Sequence, residues 1–501
     1  MARIPAVIGG VPLIDARNAP ASDRADPVVR IDAGSVRGFW RGECATFVGV
    51  PYAAPPTGPA AFAAPRPHPA WDGVRDATCQ GPTPQKGDHG VTLIPEPSVP
   101  GTSTLNVNVF TPDPSPDAGL PVLVYIHGGA YASGSLASPW YDGAAFARDG
   151  VVTVTISYRI AFAGFGWVEG SPQNRGLRDM LFALEWVQRH IRAFGGDPGR
   201  VTIAGQSAGA GAVITLLGLP PAQQLFHAAW GMSPSLAVIG ADEARRLGAD
   251  IARAAGSENR AEALGALGRG VLATAQKPFI AGDASLRGLR RTLEAGPRFG
   301  PVIDGDLVER PAISALRLGI GSDKPLALGA LDDEFTMALD PYAAALRWIP
   351  SAPILALLGL SGSRRRAYRR ANPDLRGSRR VVGRYATDML FRRTVPRVAD
   401  ARPERTWAHR FSWPSPTRGW ALHCLDVPFF FDVLGAHGAR EIAGEDPPQE
   451  LADEVHGSAV RFVADHAAPW APWSDGRTAR VFDVPPRDEQ GAYAEVRPLL
   501  R

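Results

Sequence analysis

Cysteine and lysine are scarce in this chain of 501 residues, each occurring only three times. Cys44, Cys79 and Cys424 are too few and too scattered for a disulfide framework or a metal knuckle, and imply free thiols or at most one bridge. No stretch approaches the roughly 18 uninterrupted apolar residues of a membrane span. The first ten residues lack the apolar core of a signal peptide, because Pro5 and Pro12 break the run and Asp15 soon follows. A cytoplasmic protein is therefore expected. Neither sign of charge dominates: the formal net charge is +3, which argues against a nucleic-acid partner and excludes an acidic tail. Repeats, low-complexity tracts and linkers are also missing, with 47 prolines and 55 glycines spread throughout. The length would allow about three domains on a prior of about 150 residues each. Without a hinge to cut at, one large domain over 1–501 is the better reading, and 45% hydrophobic residues supply its core.

In chain order, Val28–Asp32 and Thr46–Val50 are β-rich runs that predict a small N-terminal antiparallel sheet. Pro51–Gly58 is turn-rich and unsuited to helix or central strand. Residues 80–104 read as a long loop without Phe, Tyr or Trp, which argues against a cation–π site for a choline-type ligand there. Leu105–Phe110 alternates like a half-buried strand. Pro121–Ile126 and Val151–Tyr158 are continuous apolar or β-branched runs, the pattern of strands buried on both faces. Between Gly176 and Ile191, Leu177, Met180, Leu181, Leu184, Val187 and Ile191 recur in steps of three and four, one face of a helix. Gly195, Gly196 and Pro198 stop that helix. Strands alternating with helices mean a mostly parallel sheet covered on both sides. Helical spacing at 236–300 and 340–400 adds insertions that would cover the active site.

The chemistry converges on Gly205-Gln206-Ser207-Ala208-Gly209. A β-branched run enters it and a small-residue helical pattern leaves it, the context in which G-x-S-x-G lifts a serine hydroxyl out of a tight turn. Upstream, His127-Gly128-Gly129-Ala130-Tyr131 follows a buried strand, where glycines leave backbone N–H groups open to an oxyanion. Downstream, Asp332, Asp333 and Glu334 close the short strand Leu326–Ala330 and are candidates to orient a histidine. Among ten histidines, His423 has the best position for a late-chain base, after a strand and before Phe429-Phe430-Phe431. Residues 364–397 hold twelve arginines against Asp374 and Asp388. With so few lysines elsewhere, arginine is the preferred cation of the chain, and this segment reads as a solvated helical face.

Together several stretches resemble the type B carboxylesterases of the α/β-hydrolase fold, related to bacterial p-nitrobenzyl esterases and cholinesterases. The resemblance runs from about residue 28 to 483 and rests on Phe47–Ala53, His127–Tyr131, Ser157–Arg159, Asn174–Asp179, Phe194–Pro198 and the serine elbow. It implies a central mostly parallel sheet and a triad in the order Ser207, Glu334, His423. It also implies an oxyanion hole of Gly128, Gly129 and Ala208, with Ser233 in support behind the triad. Hydrolysis of uncharged, moderately apolar esters through an acyl-enzyme follows, with a small-molecule substrate, no metal and no cofactor. Monomer and homodimer stay open. Tyr131, Trp140, Phe165 and Phe429, with Tyr141 and Trp167, are expected at the mouth of the site. Departures are Gln206 for a usual Glu, Ala130 for a third glycine, Phe335 for a glycine after the acid, and Ser157 and Ala161 for Asn and Gly. The Phe335 change makes Asp333 a rival to Glu334. A cysteine that secreted eukaryotic members carry near Thr104 is missing. Two alternatives remain: a non-catalytic binding or adhesion protein on the same fold, and an amidase or carbamate hydrolase with the same triad.

Overall fold

A computed structural model describes residues 6–84, 93–283 and 285–500. Part of the long loop foreseen at 80–104 and the first five residues of the N-terminus lie outside the described residues. The frame is one sheet of eleven strands. In chain order these are β1 (Phe39–Arg41), β2 (Cys44–Pro51), β3 (Asn106–Thr111), β4 (Leu120–Ile126), β5 (Val152–Ile156), β6 (Gly196–Gln206), β7 (Ala228–Met232), β8 (Leu326–Leu331), β9 (Thr406–Phe411), β10 (Ala479–Phe482) and β11 (Arg487–Glu489). Across the sheet they run β11-β10-β9-β8-β7-β6-β4-β5-β3-β2-β1. The middle, from β10 to β5, is parallel throughout; both edges turn antiparallel.

The alternation within β4 shows why the sheet is buried on both faces. Val122, Val124 and Ile126 join one core with Leu177, Leu184 and Ile203, while Leu123 and Tyr125 join a second with Trp230, Phe430 and Phe462. Such two-sided burial is what a continuous apolar run encodes. Seven helices matter below: α1 (Arg175–His190), α2 (Ala208–Leu217), α3 (Leu286–Ala295), α4 (Ser351–Leu357), α5 (Gly362–Ala371), α6 (Ser378–Thr387) and α7 (Gln449–Asp465). The helix expected from the spacing after Gly176 is α1, and Gly195 follows it with φ 87°, the left-handed conformation that favours glycine at a helix stop. No helix among the described residues is long and apolar enough to cross a membrane.

One N-terminal expectation needs correction. Val28–Ile31 pairs antiparallel with Gly34–Arg37, which pairs parallel with Val74–Asp76, so a small sheet does form there. The run at Thr46–Val50 is not part of it; it lies in β2, paired to β3 in the central sheet. A strand buried on both sides, with Ala45, Phe47 and Val50 in the large core and Val48 in a smaller one, belongs in the central sheet rather than in a peripheral hairpin.

The reading of 364–397 as solvated holds only for its first half. Arg392 has no exposed surface and Arg384 only 5%. Arg384 donates to Asp333 at 3.0 and 3.3 Å. Arg392 reaches Asp388 at 2.8 Å, Asp332 at 3.4 Å and, closely, Glu495. Arg410, from β9, binds Asp332 through two nitrogens at 2.6 and 2.9 Å. Such pairing offsets the cost of burying a guanidinium group. The network anchors the turn after β8 to the late chain.

Candidate active site

The parallel register brings the ends of four strands together. Gly205 of β6 stands opposite Ile126 of β4, Gln206 opposite Met232 of β7, and Met232 opposite Gly329 of β8. Ser207 therefore emerges at the carboxyl edge of the sheet, between β6 and α2. Its φ of 57° and ψ of −120° are strained for a residue with a Cβ, a state that persists only where the surroundings impose it. The two flanking glycines explain how. A Cβ on Gly209 would lie 2.0 Å from the Ile126 carbonyl oxygen, and one on Gly205 2.6 Å from the Gly209 carbonyl carbon. The backbone turns this sharply only because neither side chain exists.

The loop after β4 comes close to that serine. A Cβ built on Gly128 would lie 3.2 Å from the Ser207 Cβ, so the loop's backbone approaches the hydroxyl-bearing carbon closely. Gly129 has φ 107°, and Ala130 and Tyr131 follow with φ 52° and 59°. Within this run the Gly129 carbonyl accepts from Ala132 at 2.9 Å and Ser133 at 2.8 Å, closing the turn. The N–H groups of Gly128 and Gly129 donate to nothing among the described residues. That of Ala208, first in α2, has no intrahelical partner by position. Two free donors on this loop and one at the start of α2 thus flank the serine turn in sequence, with Gly128 closest to Ser207.

Glu334 and His423 meet although 89 residues separate them. The Nδ1 of His423 pairs closely with Glu334 Oε2, while the other carboxylate oxygen accepts the Leu331 N–H at 3.1 Å. A further bond from the His423 N–H to the Glu334 carbonyl, at 3.2 Å, fixes the two backbones together. Glu334 is fully buried; Ser207 and His423 keep 8% exposure each, so a little of each residue meets solvent. No hydrogen bond joins Ser207 Oγ to His423 among the described residues. Instead the Gln206 amide nitrogen stands 3.2 Å from His423 Nε2. An amide nitrogen only donates, so the neutral ring accepts at Nε2 and carries its proton on Nδ1, toward Glu334.

Electrostatics follow the packing. Burial depresses the His423 pKa, but the Cys424 sulfur and the Glu334 carboxylate beside it outweigh that and hold it well above the ordinary value. Burial pushes the Cys424 thiol up, and all three cysteines are free. Asp426, three residues beyond His423, is pushed up to about 7 by burial and then by Glu334. Asp333, the rival acid, is engaged by Arg384 and by the Thr336 hydroxyl at 3.2 Å, not by His423. Ser233 is buried behind the elbow, its N–H donating to Gly329 at 2.7 Å. No cluster of His, Cys, Asp and Glu among the described residues has the makings of a metal site.

The expected mouth residues sit elsewhere. Tyr131, Trp140 and Phe429 have no accessible surface and Phe165 has 3%, so none of the four borders open space. Trp140 donates its indole N–H to the His437 carbonyl at 2.9 Å, and Phe429 packs on Phe411 and Trp413. Tyr131 packs edge-on to Phe165 at 4.8 Å. These rings fill core, where their large apolar area is worth most. An accessible ring near Glu334 and His423 is Phe335, 37% exposed and 5.7 Å from His423, with Phe391 stacked on the imidazole at 4.6 Å. Sequence reasoning treated Phe335 only as a disturbance of the acid and passed over Phe391. A separate cavity of about 760 Å³ lies between Gly58–Phe62, Arg159–Ala163 and Leu264–Gln276, and none of Ser207, Glu334 or His423 lines it.

Comparison with known proteins agrees with this architecture. Residues 25–351 match the model of the carboxylesterase family. The para-nitrobenzyl esterase of Bacillus subtilis is 32% identical over 459 residues, covering 87% of this chain and 89% of the relative. The fumonisin B1 esterase of Sphingopyxis macrogoltabida is 33% identical over 479 residues, covering 90% and 84%. Among solved structures, the Geobacillus stearothermophilus carboxylesterase EST55 superposes with a TM-score of 0.81 at 31% identity, covering 95% of this chain and all of that one. The mixed sheet, the helices on both faces and the serine turn are thus those of the α/β-hydrolase fold, and the chain belongs to the carboxylesterase family as a hydrolase of carboxylic esters.

Proposed function

We propose that Ser207 is the nucleophile, His423 the general base and acid, and Glu334 the group that orients the imidazole. His423 Nε2 takes the Ser207 proton as Oγ attacks the ester carbonyl, then returns it to the departing alkoxide. Before that step Nε2 exchanges its Gln206 partner for the neighbouring hydroxyl; such hydrogen bonds tighten when substrate arrives. Glu334 holds the Nδ1 proton and stabilises the imidazolium that forms. The N–H groups of Gly128, Gly129 and Ala208 receive the oxyanion, each worth about 3–4 kcal/mol in the transition state. Water repeats the sequence on the acyl-enzyme and releases the acid. No step requires a metal or an organic cofactor.

What carries the reading is the strained serine at φ 57° beside a histidine already bound to a buried carboxylate. Phe335, exposed beside the imidazole, supports uncharged and moderately apolar esters over ionic ones. A panel of p-nitrophenyl esters of rising acyl length, run with the native protein and Ser207→Ala, tests it. Native turnover is expected, with a loss of at least about 10^4-fold in the variant. A variant within about tenfold of native activity would remove Ser207 from the role.

A further inference from the structure

An apolar strip is left uncovered on the helical layer beside the triad acid. Trp348 is 85% exposed, Tyr342 61%, Leu357 53% and Ile349 45%. Leu286 and Leu289 lie exposed on α3, and one surface cleft is lined by both Leu286 and Leu357. The inner side of this layer is already filled: Leu293, Leu355, Leu360, Tyr368, Val381 and Tyr385 make a core of their own. None of the strip's residues belongs to that core.

Its charge is as unusual as its apolarity. Residues 340–380 contain nine arginines and two aspartates, a surplus of seven positive charges. The whole chain has a surplus of three, so the remainder is net acidic. Asp340 is taken by Arg379 at 3.3 Å. Arg347, Arg364, Arg366 and Arg370 are exposed, and their side chains make no ion pair or hydrogen bond among the described residues. A second copy of the chain is a poor occupant, since a two-fold contact would set one arginine cluster against the other. A bilayer with anionic headgroups satisfies both features. Tryptophan is at home at headgroup depth, and arginine stems lie along apolar surface while their guanidinium groups meet phosphate.

We propose that the face formed by Tyr342, Trp348, Ile349, Leu357, Leu286 and Leu289, flanked by Arg347, Arg364, Arg366 and Arg370, docks on an anionic phospholipid surface. The seven-residue 3-10 segment Thr336–Tyr342 joins Phe335 to this face, a length of about 14 Å. Docking brings a lipid-dissolved ester close to the side of the molecule where Phe335 borders His423. The proposal stands whether or not the triad is assigned correctly.

The test is sedimentation of the full chain with vesicles of phosphatidylcholine, with and without about 30% phosphatidylglycerol. The native protein should pellet with the anionic vesicles only, and about 0.5 M salt should release it. Trp348→Ser, and Arg364→Glu with Arg366→Glu and Arg370→Glu, should each cut the bound fraction about tenfold. Both variants should hydrolyse soluble p-nitrophenyl esters as the native protein does, which separates docking from folding and from chemistry. Native protein left in the supernatant, equal binding to the zwitterionic vesicles, or variants that bind like native would each overturn the proposal. So would a native dimer that Trp348→Ser dissociates without any vesicle binding, which would give the face to a second copy.

Discussion

Replacing Arg392 by methionine isolates the buried network that supports the turn carrying Glu334. Arg392 has no exposed surface and faces Asp388 at 2.8 Å, Asp332 at 3.4 Å and Glu495 closely, with the Tyr493 ring 5.4 Å from its guanidinium carbon. Methionine keeps an unbranched stem and removes the charge, leaving buried carboxylates without one of their cations. Breaking a buried pair from one side costs about 3–5 kcal/mol. For a chain this long, each kcal/mol moves Tm by roughly 1–2 °C, half the shift typical of domains of about 200 residues. A loss of roughly 3–10 °C follows. The pH dependence has a definite sign. Burial alone would raise the Asp332 pKa, but Arg410, Arg384 and Arg392 outweigh it and hold the carboxyl well below its ordinary value. Its stabilisation is present above the unfolded value near pH 4 and is lost as pH falls through the folded one. The Asp388 pKa lies above its ordinary value through burial even with Arg392 beside it; without Arg392 it rises further, so the variant's penalty is present at high pH and relieved by protonation as pH falls. Thermal melts of native protein and variant at pH 8 and pH 5 read this directly. The deficit should be larger at pH 8. Arg364→Met, on the exposed part of the same arginine-rich segment, should stay within about 0.5 kcal/mol of native. A deficit below about 2 °C, or one equal at the two pH values, would refute the reasoning.

Glu334→Gln should reduce kcat by about 10^4, as expected when a triad acid can no longer hold the histidine tautomer. Asp333→Asn should instead weaken thermal stability through loss of the Arg384 pair while activity at low temperature persists; the reverse pattern would make Asp333 the acid. Because His423 must be neutral to act as base and its pKa is held well above the ordinary value, kcat/KM should climb with pH through a midpoint above 6.5. A midpoint below 6.5 would contradict the environment described. Asp426, pushed up to about 7, keeps a proton in the fold that the unfolded chain releases near pH 4, so native stability falls as pH rises between those values. Asp426→Asn removes up to about 4 kcal/mol of that dependence, and its Tm advantage over native should therefore grow from pH 5 to pH 8. An advantage that stays constant over the same interval would show that Asp426 is ionised throughout.

Legibility in the sequence tracked how local each determinant is. The elbow could be read because its motif lies within five residues: the glycines at 205 and 209 carry the steric argument, and the Ile126 carbonyl and the Gly209 backbone are what a side chain there would strike. The strand run at 121–126 and the spacing in α1 are local in the same sense. The N-terminal sheet was half misplaced because Thr46–Val50 is equally apolar in a hairpin or in the large sheet, and only its pairing with β3 decides. Partnership of Glu334 and His423 spans 89 residues and was available only through resemblance to a family; from the residues alone, three adjacent acids stood equal.

Depth in the fold was the least legible property, and the reason is physical. An aromatic ring at a pocket mouth and one in a core have the same composition and the same local pattern. Trp140 is core because its indole N–H meets a carbonyl 297 residues away and Phe429 lies in the same cluster, neither of which the local sequence encodes. The arginines at 364–397 pose the same problem with the opposite sign. Residues of one arginine-rich segment divide into solvated ones at 364, 366 and 370 and buried ones at 384 and 392, according to whether Asp332, Asp333, Asp388 or Glu495 waits opposite. Composition counted these arginines correctly, but the carboxylates that meet them, most of them from distant segments, determine which of them the protein can bury.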